Sequence, residues 1–257
     1  MAGAPMSFEA CAALVERGDP WRFACAMAAP VAARRVLFPL YAFNIEVARA
    51  PWVTQEPMIA EMRLQWWRDA LVEIATGGTV RRHEVVGPLA EVLDADSARL
   101  LDRLVEARRW DIYKEPFEDA QHLTHYLEDT AACLMRAGVR ALGGADAGVS
   151  DYGFGAGLAM FLQAVPELEA RGRVPLVDGR AEGVASLARE GLARLRSGRK
   201  ALRLSREAKA ALFPGVTASA LLARVVARPG LVAAGGVQVS EAGRKLRLIR
   251  ASAFGRV

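Results

Sequence analysis

LYAFNIEVARAPW, residues 40–52, has the apolar density of a buried helix, yet it carries Asn44, Glu46 and Arg49 and stops at Pro51. Proline disfavours the α conformation in the residue before it, so the segment predicts a helix from about Val31 to Arg49 that ends ahead of Pro51. Outward from it, almost every segment repeats apolar residues every three to four positions, and no stretch alternates convincingly over strand length. The fold class is therefore all-α. Asp19-Pro20-Trp21 marks a helix entry, with Asp19 as cap and Pro20 at the first helical position, where its missing N–H costs nothing. Further helices are expected near 57–76, 97–114, 117–142 and 148–165, and shorter ones near 184–198, 205–213, 217–228 and 239–250. Gly-Gly pairs at 77–78 and 143–144, with Pro116 and Pro166, punctuate them. No repeat, low-complexity tract or linker is evident, so residues 1–257 form one domain.

The composition, 53% hydrophobic over 257 residues, suffices for one large core. The runs VLFPLYAF and GLAMFLQAV fall short of the roughly 20 apolar residues a spanning helix needs. Met1 to Cys11 shows no basic start followed by an apolar stretch, so the expectation is a soluble, cytoplasmic chain that is not exported. Cys11, Cys25 and Cys133 are odd in number and lack C-x-x-C spacing, which favours buried reduced thiols over a disulfide or a zinc site.

Charge is unevenly spread. Residues 1–180 carry 19 Lys and Arg against 25 Asp and Glu, whereas 181–257 carry 15 against 4, so the C-terminal third is strongly basic. An anionic partner or the acidic part of the same fold can balance it. Nucleic acid is disfavoured, because Phe213 and Phe254 are the only aromatic residues there for stacking on bases. The end, GRKLRLIRASAFGRV, could instead lie on an anionic membrane surface through Leu246, Leu248, Ile249 and Phe254, or dock on the domain.

Two other stretches invite a site. His122, His125 and Asp129 share one helix face, but one helix supplies at most part of a metal site, so exposed or hydrogen-bonded residues are expected. GFGAG, residues 153–157, has the glycine spacing of a phosphate loop but follows no strand, so its small residues are expected to let helices approach. In EMRLQWWRDALVEIATGG, Leu64, Trp67, Leu71 and Ile74 recur on one face, and Trp66 turns about 100° away to a second neighbour.

Four segments in order, RRVLFPLYAFNIEVAR (34–49), RLQWWRDAL (63–71), YLEDTAACLMRAGVRALGG (126–144) and GLAMFLQAVPELEARGRVPL (157–176), resemble the squalene/phytoene synthase family. The resemblance runs from about Trp21 to Leu176 and implies a single-domain isoprenoid (terpenoid) synthase fold with a central cavity. In the active enzymes it implies two aspartate-rich segments that hold Mg²⁺ against an isoprenyl diphosphate while two such substrates are joined head to head. Aligned without gaps, the first set falls on Ala48, Arg49 and Trp52 and the second on Ala164 and Leu168, with Pro166 expected to break the helix there. Two unit charges 5 Å apart at an effective dielectric near 20 interact by roughly 3 kcal/mol, so Arg49 beside such a site would repel the ion. The sequence is closest to a branch that keeps YAFN and RLQWW-like segments without the aspartates and resembles the mitochondrial factor needed for respiratory complex I assembly.

That resemblance implies a scaffolding or assembly role with subunits of a membrane respiratory complex as partners. No cofactor or metal is expected, and the place is cytoplasmic or peripheral at an inner membrane, on the matrix side if mitochondrial. An isoprenyl diphosphate or lipid phosphate would be held without metal. Arg49, Arg34, Arg35, Arg171 and Arg173 are the candidate phosphate ligands, and Tyr41, Phe43, Asn44, Glu46, Tyr126 and Gln163 the candidate cavity wall. A Glu46–Arg49 pair at i, i+3 is the plain alternative for Arg49, and a core tyrosine with a backbone partner the alternative for Tyr126. A second reading keeps a working Mg²⁺-dependent prenyltransferase with a site built around Glu46, Glu167 and Glu169.

Overall fold

The computed structural model describes residues 8–257, and Met1 to Ser7, part of the stretch read above for a leader, lie outside the described residues. Thirteen α-helices and no strand occur among the described residues. In chain order they are α1 (Phe8–Gly18), α2 (Pro20–Ala28), α3 (Val31–Arg49), α4 (Pro57–Ala75), α5 (Val86–Ala90), α6 (Ala95–Ala107) and α7 (Ala120–Leu127). There follow α8 (Cys133–Ala141), α9 (Val149–Ala170), α10 (Ala181–Ala201), α11 (Arg206–Lys209), α12 (Ala218–Ala227) and α13 (Glu241–Phe254).

The Asp19 cap acts as the sequence implies, and four further caps come from the structure. Asp19 accepts from the Arg22 amide at 2.9 Å with Pro20 at the first position of α2, and Asp94, Asp119, Ser205 and Ser240 cap α6, α7, α11 and α13. α3 ends at Arg49, and a 3₁₀ turn, Ala50–Trp52, carries the chain past Pro51.

Three expectations fail. The helix expected over 97–114 ends at Ala107 and passes into a 3₁₀ turn, Arg108–Asp111. The single helix expected over 117–142 is interrupted by a π turn, Glu128–Ala132, between α7 and α8. Pro166 does not end α9, which continues to Ala170. An interior proline forfeits one hydrogen bond and costs about 3 kcal/mol, but α9 is the central helix, packed on α10, α12, α8 and the π turn, and that burial outweighs the loss.

Glycines let α9 sit that close. A Cβ on Gly153 would lie 2.5 Å from the Ala132 Cα in the π turn, and one on Gly155 would lie 2.4 Å from the Leu195 Cγ of α10. GFGAG is thus a packing surface for two neighbours on opposite sides.

One contiguous apolar core runs through the described residues. Cys11, Cys25 and Cys133 are buried in it as free thiols. Trp67 is buried edge-on to Phe43 at 5.3 Å, while Trp66 is half-buried beneath the Arg81 guanidinium, 4.8 Å from the ring. The basic third is partly balanced from within, since Arg194 on α10 pairs with Glu128 at 2.5 Å and Asp151 at 2.9 Å. The stretch Arg206–Ala227 escaped the reading of the longest apolar runs: an 18-residue window within it reaches a mean hydropathy of 1.6, but 67% of that window is buried inside the fold.

Candidate functional site

A cleft of about 310 Å³ opens between α3, the π turn and α9. Asn44, Ala48 and Trp52 recur every four residues and line one wall, while Gly157, Phe161, Ala164 and Leu168 line the other at the same helical spacing. The positions at which the resemblance places metal-binding carboxylates, Ala48 and Trp52 on one side and Ala164 and Leu168 on the other, share this cleft. All four are apolar. Arg49, the remaining position, is one residue out of step and turns outward, 60% of its side chain exposed. Its repulsion is therefore not what bars a metal; the missing carboxylates are.

The one carboxylate lining the cleft, Asp111, is already engaged. It sits 3% exposed on the 3₁₀ turn Arg108–Asp111, accepts from the Tyr126 hydroxyl at 3.0 Å, and pairs with the Arg108 guanidinium at 2.9 Å. Arg108 also donates to the Tyr126 oxygen at 3.0 Å. Burial, more than any charge nearby, pushes the Tyr126 phenol well above its ordinary value, so it stays protonated and donating. The Thr130 hydroxyl in the π turn donates back to the Tyr126 carbonyl at 2.6 Å.

The cations around the cleft are paired as well, although Nε of Arg22, Arg108 and Arg173 is buried without an acceptor. Arg22 pairs with Asp19 at 2.5 Å, and Arg171 pairs with Glu167 at 2.7 Å. Arg173, 5% exposed, donates to the backbone carbonyls of Trp110 at 3.1 Å, Tyr113 at 2.7 Å and Asp111. Both Arg171 and Arg173 lie over Trp52, 4.6 and 5.0 Å from its ring, so indole and guanidinium close the rim where the family pattern has a carboxylate. Mg²⁺ needs about six oxygens, preferably including carboxylates. Among the described residues no three His, Cys, Asp or Glu side chains gather to hold a metal, and the groups lining this cleft do not fit one.

The other candidates disperse. Asn44 and Tyr126 line the cleft, the latter bonded to side chains and not to the backbone partner that was the alternative. Tyr41 and Phe43 are core residues, at 2% and 0% exposure. Glu46 faces a separate groove with Trp66, Trp67 and His83, and its pairing with Arg49 is a loose 3.7 Å contact. Arg34 and Arg35 line a depression with Phe8 and Pro88, and Arg34 donates to the Met27 carbonyl at 2.9 Å, so neither joins Arg171 and Arg173. Gln163 lies in a second pocket, donating to the Val237 carbonyl at 2.7 Å. Glu167 is held by Arg171, and Glu46, Glu167 and Glu169 do not come together as a site. His122 packs edge-on to Phe117 at 5.2 Å, and Asp129 pairs with Arg103 at 2.5 Å.

Sequence reasoning missed Arg22, Arg108 and Asp111. Asp19-Pro20 signalled the helix that presents Arg22, but nothing in the local pattern marks RRWD, residues 108–111, as a turn folded back onto Tyr126.

The fold and cleft are those of a terpenoid-synthase-like helical protein. The squalene/phytoene synthase family matches residues 15–177, and the chain belongs to that family. It is similar in structure to a dehydrosqualene synthase, TM-score 0.73 at 15% identity over 95% of this chain and 94% of that one. A squalene synthase from Alicyclobacillus acidocaldarius gives 0.68 at 19% identity over 87% and 94%. In sequence it is 32% identical over 178 residues to the Drosophila melanogaster homolog of NADH dehydrogenase (ubiquinone) complex I assembly factor 6, covering 65% of this chain and 53% of that protein. It is 26% identical over 180 residues to the Bos taurus factor of that name, covering 64% and 51%. The chain thus spans about half the length of the curated relatives it matches.

Proposed function

We propose that this chain is a non-catalytic member of its family, acting as an assembly or scaffolding factor for a membrane respiratory enzyme of the complex I kind. The observation that carries this is the cleft. The four positions facing each other where a diphosphate would be gripped through metal are Ala48, Trp52, Ala164 and Leu168. A polyanion has no metal to neutralise it there, and Arg22, Arg108, Arg171 and Arg173 are each committed to partners within the chain. What the cleft suits is an apolar chain, such as an isoprenoid or lipid tail. The likeness to proteins named complex I assembly factor 6 supports the choice of partner.

The basic, apolar-edged α13 fits residence at an anionic membrane surface. Leu246 and Ile249 point outward on it, with Arg250 exposed beside them. On this reading the protein works peripherally at the membrane that holds its partner, the mitochondrial inner membrane or its bacterial counterpart.

Two measurements test the proposal. Incubation with farnesyl or geranylgeranyl diphosphate and Mg²⁺ should release no pyrophosphate; release at a rate set by enzyme concentration overturns it. Deleting the gene from its host should lower assembled complex I on native gels, with rescue by the wild-type chain. Unchanged assembly removes the role.

A further inference from the structure

Beside the cleft lies a second pocket of about 400 Å³, bounded by α2, α9, α12, the 235–239 loop and α13, to which neither the family pattern nor the proposal above gives a task. Its polar groups converge. Gln163, Gln238 and Thr217 line it, and Arg244 of α13 stands at its edge over Trp21, 4.7 Å from the ring. The indole is fixed by donating to the Pro214 carbonyl at 3.1 Å. Unlike the cations around the cleft, the Arg244 guanidinium has no ion pair or hydrogen bond among the described residues, because Glu241, the acidic residue of α13, is taken by Lys245 at 2.6 Å.

Met160 is the residue that lines both this pocket and the cleft. Helical geometry makes it so: one turn apart on α9, Gly157, Phe161 and Ala164 face the cleft while Gln163 faces the pocket, and Met160 lies on the seam. Its side chain is unbranched, flexible and 37% exposed, so it can swing aside without disturbing the backbone. A neighbouring pair on α2 repeats the division, Trp21 in the pocket and Arg22 in the cleft.

We propose that the two spaces are one binding site for a single-chain amphiphile with a small anionic head. The carboxylate or phosphate monoester is held by Arg244 with Gln163 and Gln238, and the tail passes Met160 into the apolar cleft. The head then lies at the α13 end, remote from the positions where the family pattern would put a diphosphate. This rests on the reading of the cleft as a holder of an apolar chain.

The test is calorimetric titration of the full chain with octanoate, decanoate and dodecanoate below their micellar limits, with dodecanol and farnesyl monophosphate as further probes. Affinity should rise by about fourfold per methylene. Arg244→Gln should weaken dodecanoate by about tenfold or more, as loss of a charge-assisted hydrogen bond does, with Arg244→Lys retaining most of the affinity. Met160→Trp should weaken dodecanoate more than octanoate and abolish the gain between them. Met160→Ala should keep that gain, which separates blockage from misfolding. Farnesyl monophosphate against dodecanoate distinguishes the two sources of head group, and either binding through Arg244 supports the site. Dodecanol binding as tightly as dodecanoate, Arg244→Gln without effect, or no binding of any probe at 1 mM overturns it. The pyrophosphate and gene-rescue measurements do not depend on this outcome, so the two readings fail separately.

Discussion

The cleft and the α13 pocket share Met160 and differ in how their charges are settled. Around the cleft each cation has an acceptor and the lone lining carboxylate has two donors, whereas at the pocket Arg244 has only an aromatic face. A buried ion pair contributes little net stability when intact, because desolvation offsets the attraction, but breaking it strands the partner. The cleft therefore has no carboxylate at the four facing positions to hold a metal, and its charges are paired largely among themselves. An unpaired cation, by contrast, keeps its capacity to bind an anion.

The largest break in this comparison should come from Asp111→Ala, which strands Arg108 and the Tyr126 hydroxyl. Urea unfolding should show a loss of about 3 kcal/mol or more, and a loss below about 1 kcal/mol would mean the network does not hold the cleft. Restoring carboxylates sharpens it from the other side. A chain carrying Ala48→Asp, Trp52→Asp, Ala164→Asp and Leu168→Asp should gain Mg²⁺-dependent stability, about 2.7 kcal/mol when the ion is at a hundred times its dissociation constant. The wild type should show no change in melting temperature with Mg²⁺.

A third test concerns the three thiols buried in the core. Burial pushes the Cys11 thiol up to about 12 and Cys133 up to about 11 from an ordinary value of 9.0, and it raises Cys25 as well. For an acid raised in the folded state, the unfolded chain loses its proton first as pH climbs. The stability this confers is whole below pH 9 and drains away as pH rises through 11 to 12. The native protein should accordingly resist thiol reagents at pH 8 and release three reactive thiols in denaturant; a thiol that reacts at once in the native state contradicts the burial. The smallest effect should be Arg49→Ala, within about 0.5 kcal/mol by the same urea assay, since its 3.7 Å contact to Glu46 is exposed.

The helices were legible in the sequence because their period is written in the apolar residues, and α3 ends at Arg49 as expected, although Ala50 before Pro51 stays in the α region and the chain tightens into a 3₁₀ turn there. The cleft walls were legible only through the resemblance, which placed Ala48, Trp52, Ala164 and Leu168 correctly. Residues one or two steps away in sequence were not. A single position turns a side chain about 100° and two about 200°, which is why Arg49 and Gln163, and Glu46 two residues from Asn44 and Ala48, face elsewhere. The π turn stayed hidden because its cause is tertiary: α9 presses in at Gly153, and the chain at Ala132 takes a wider turn. Pro166 misled for a related reason, since local preference yields where a helix lies at the centre of the core.

The buried stretch from Arg206 to Ala227 has a consequence for how the chain is handled as it is made. Until α9 and α10 are in place to receive it, its most apolar 18 residues are open to partial burial at a lipid surface, while Arg224 and the 3₁₀ turn Ala210–Gly215 oppose full insertion. Folding and capture at a membrane are then rivals for the same side chains, and a variant slow to order its early helices should be found in the wrong compartment before it is found unfolded.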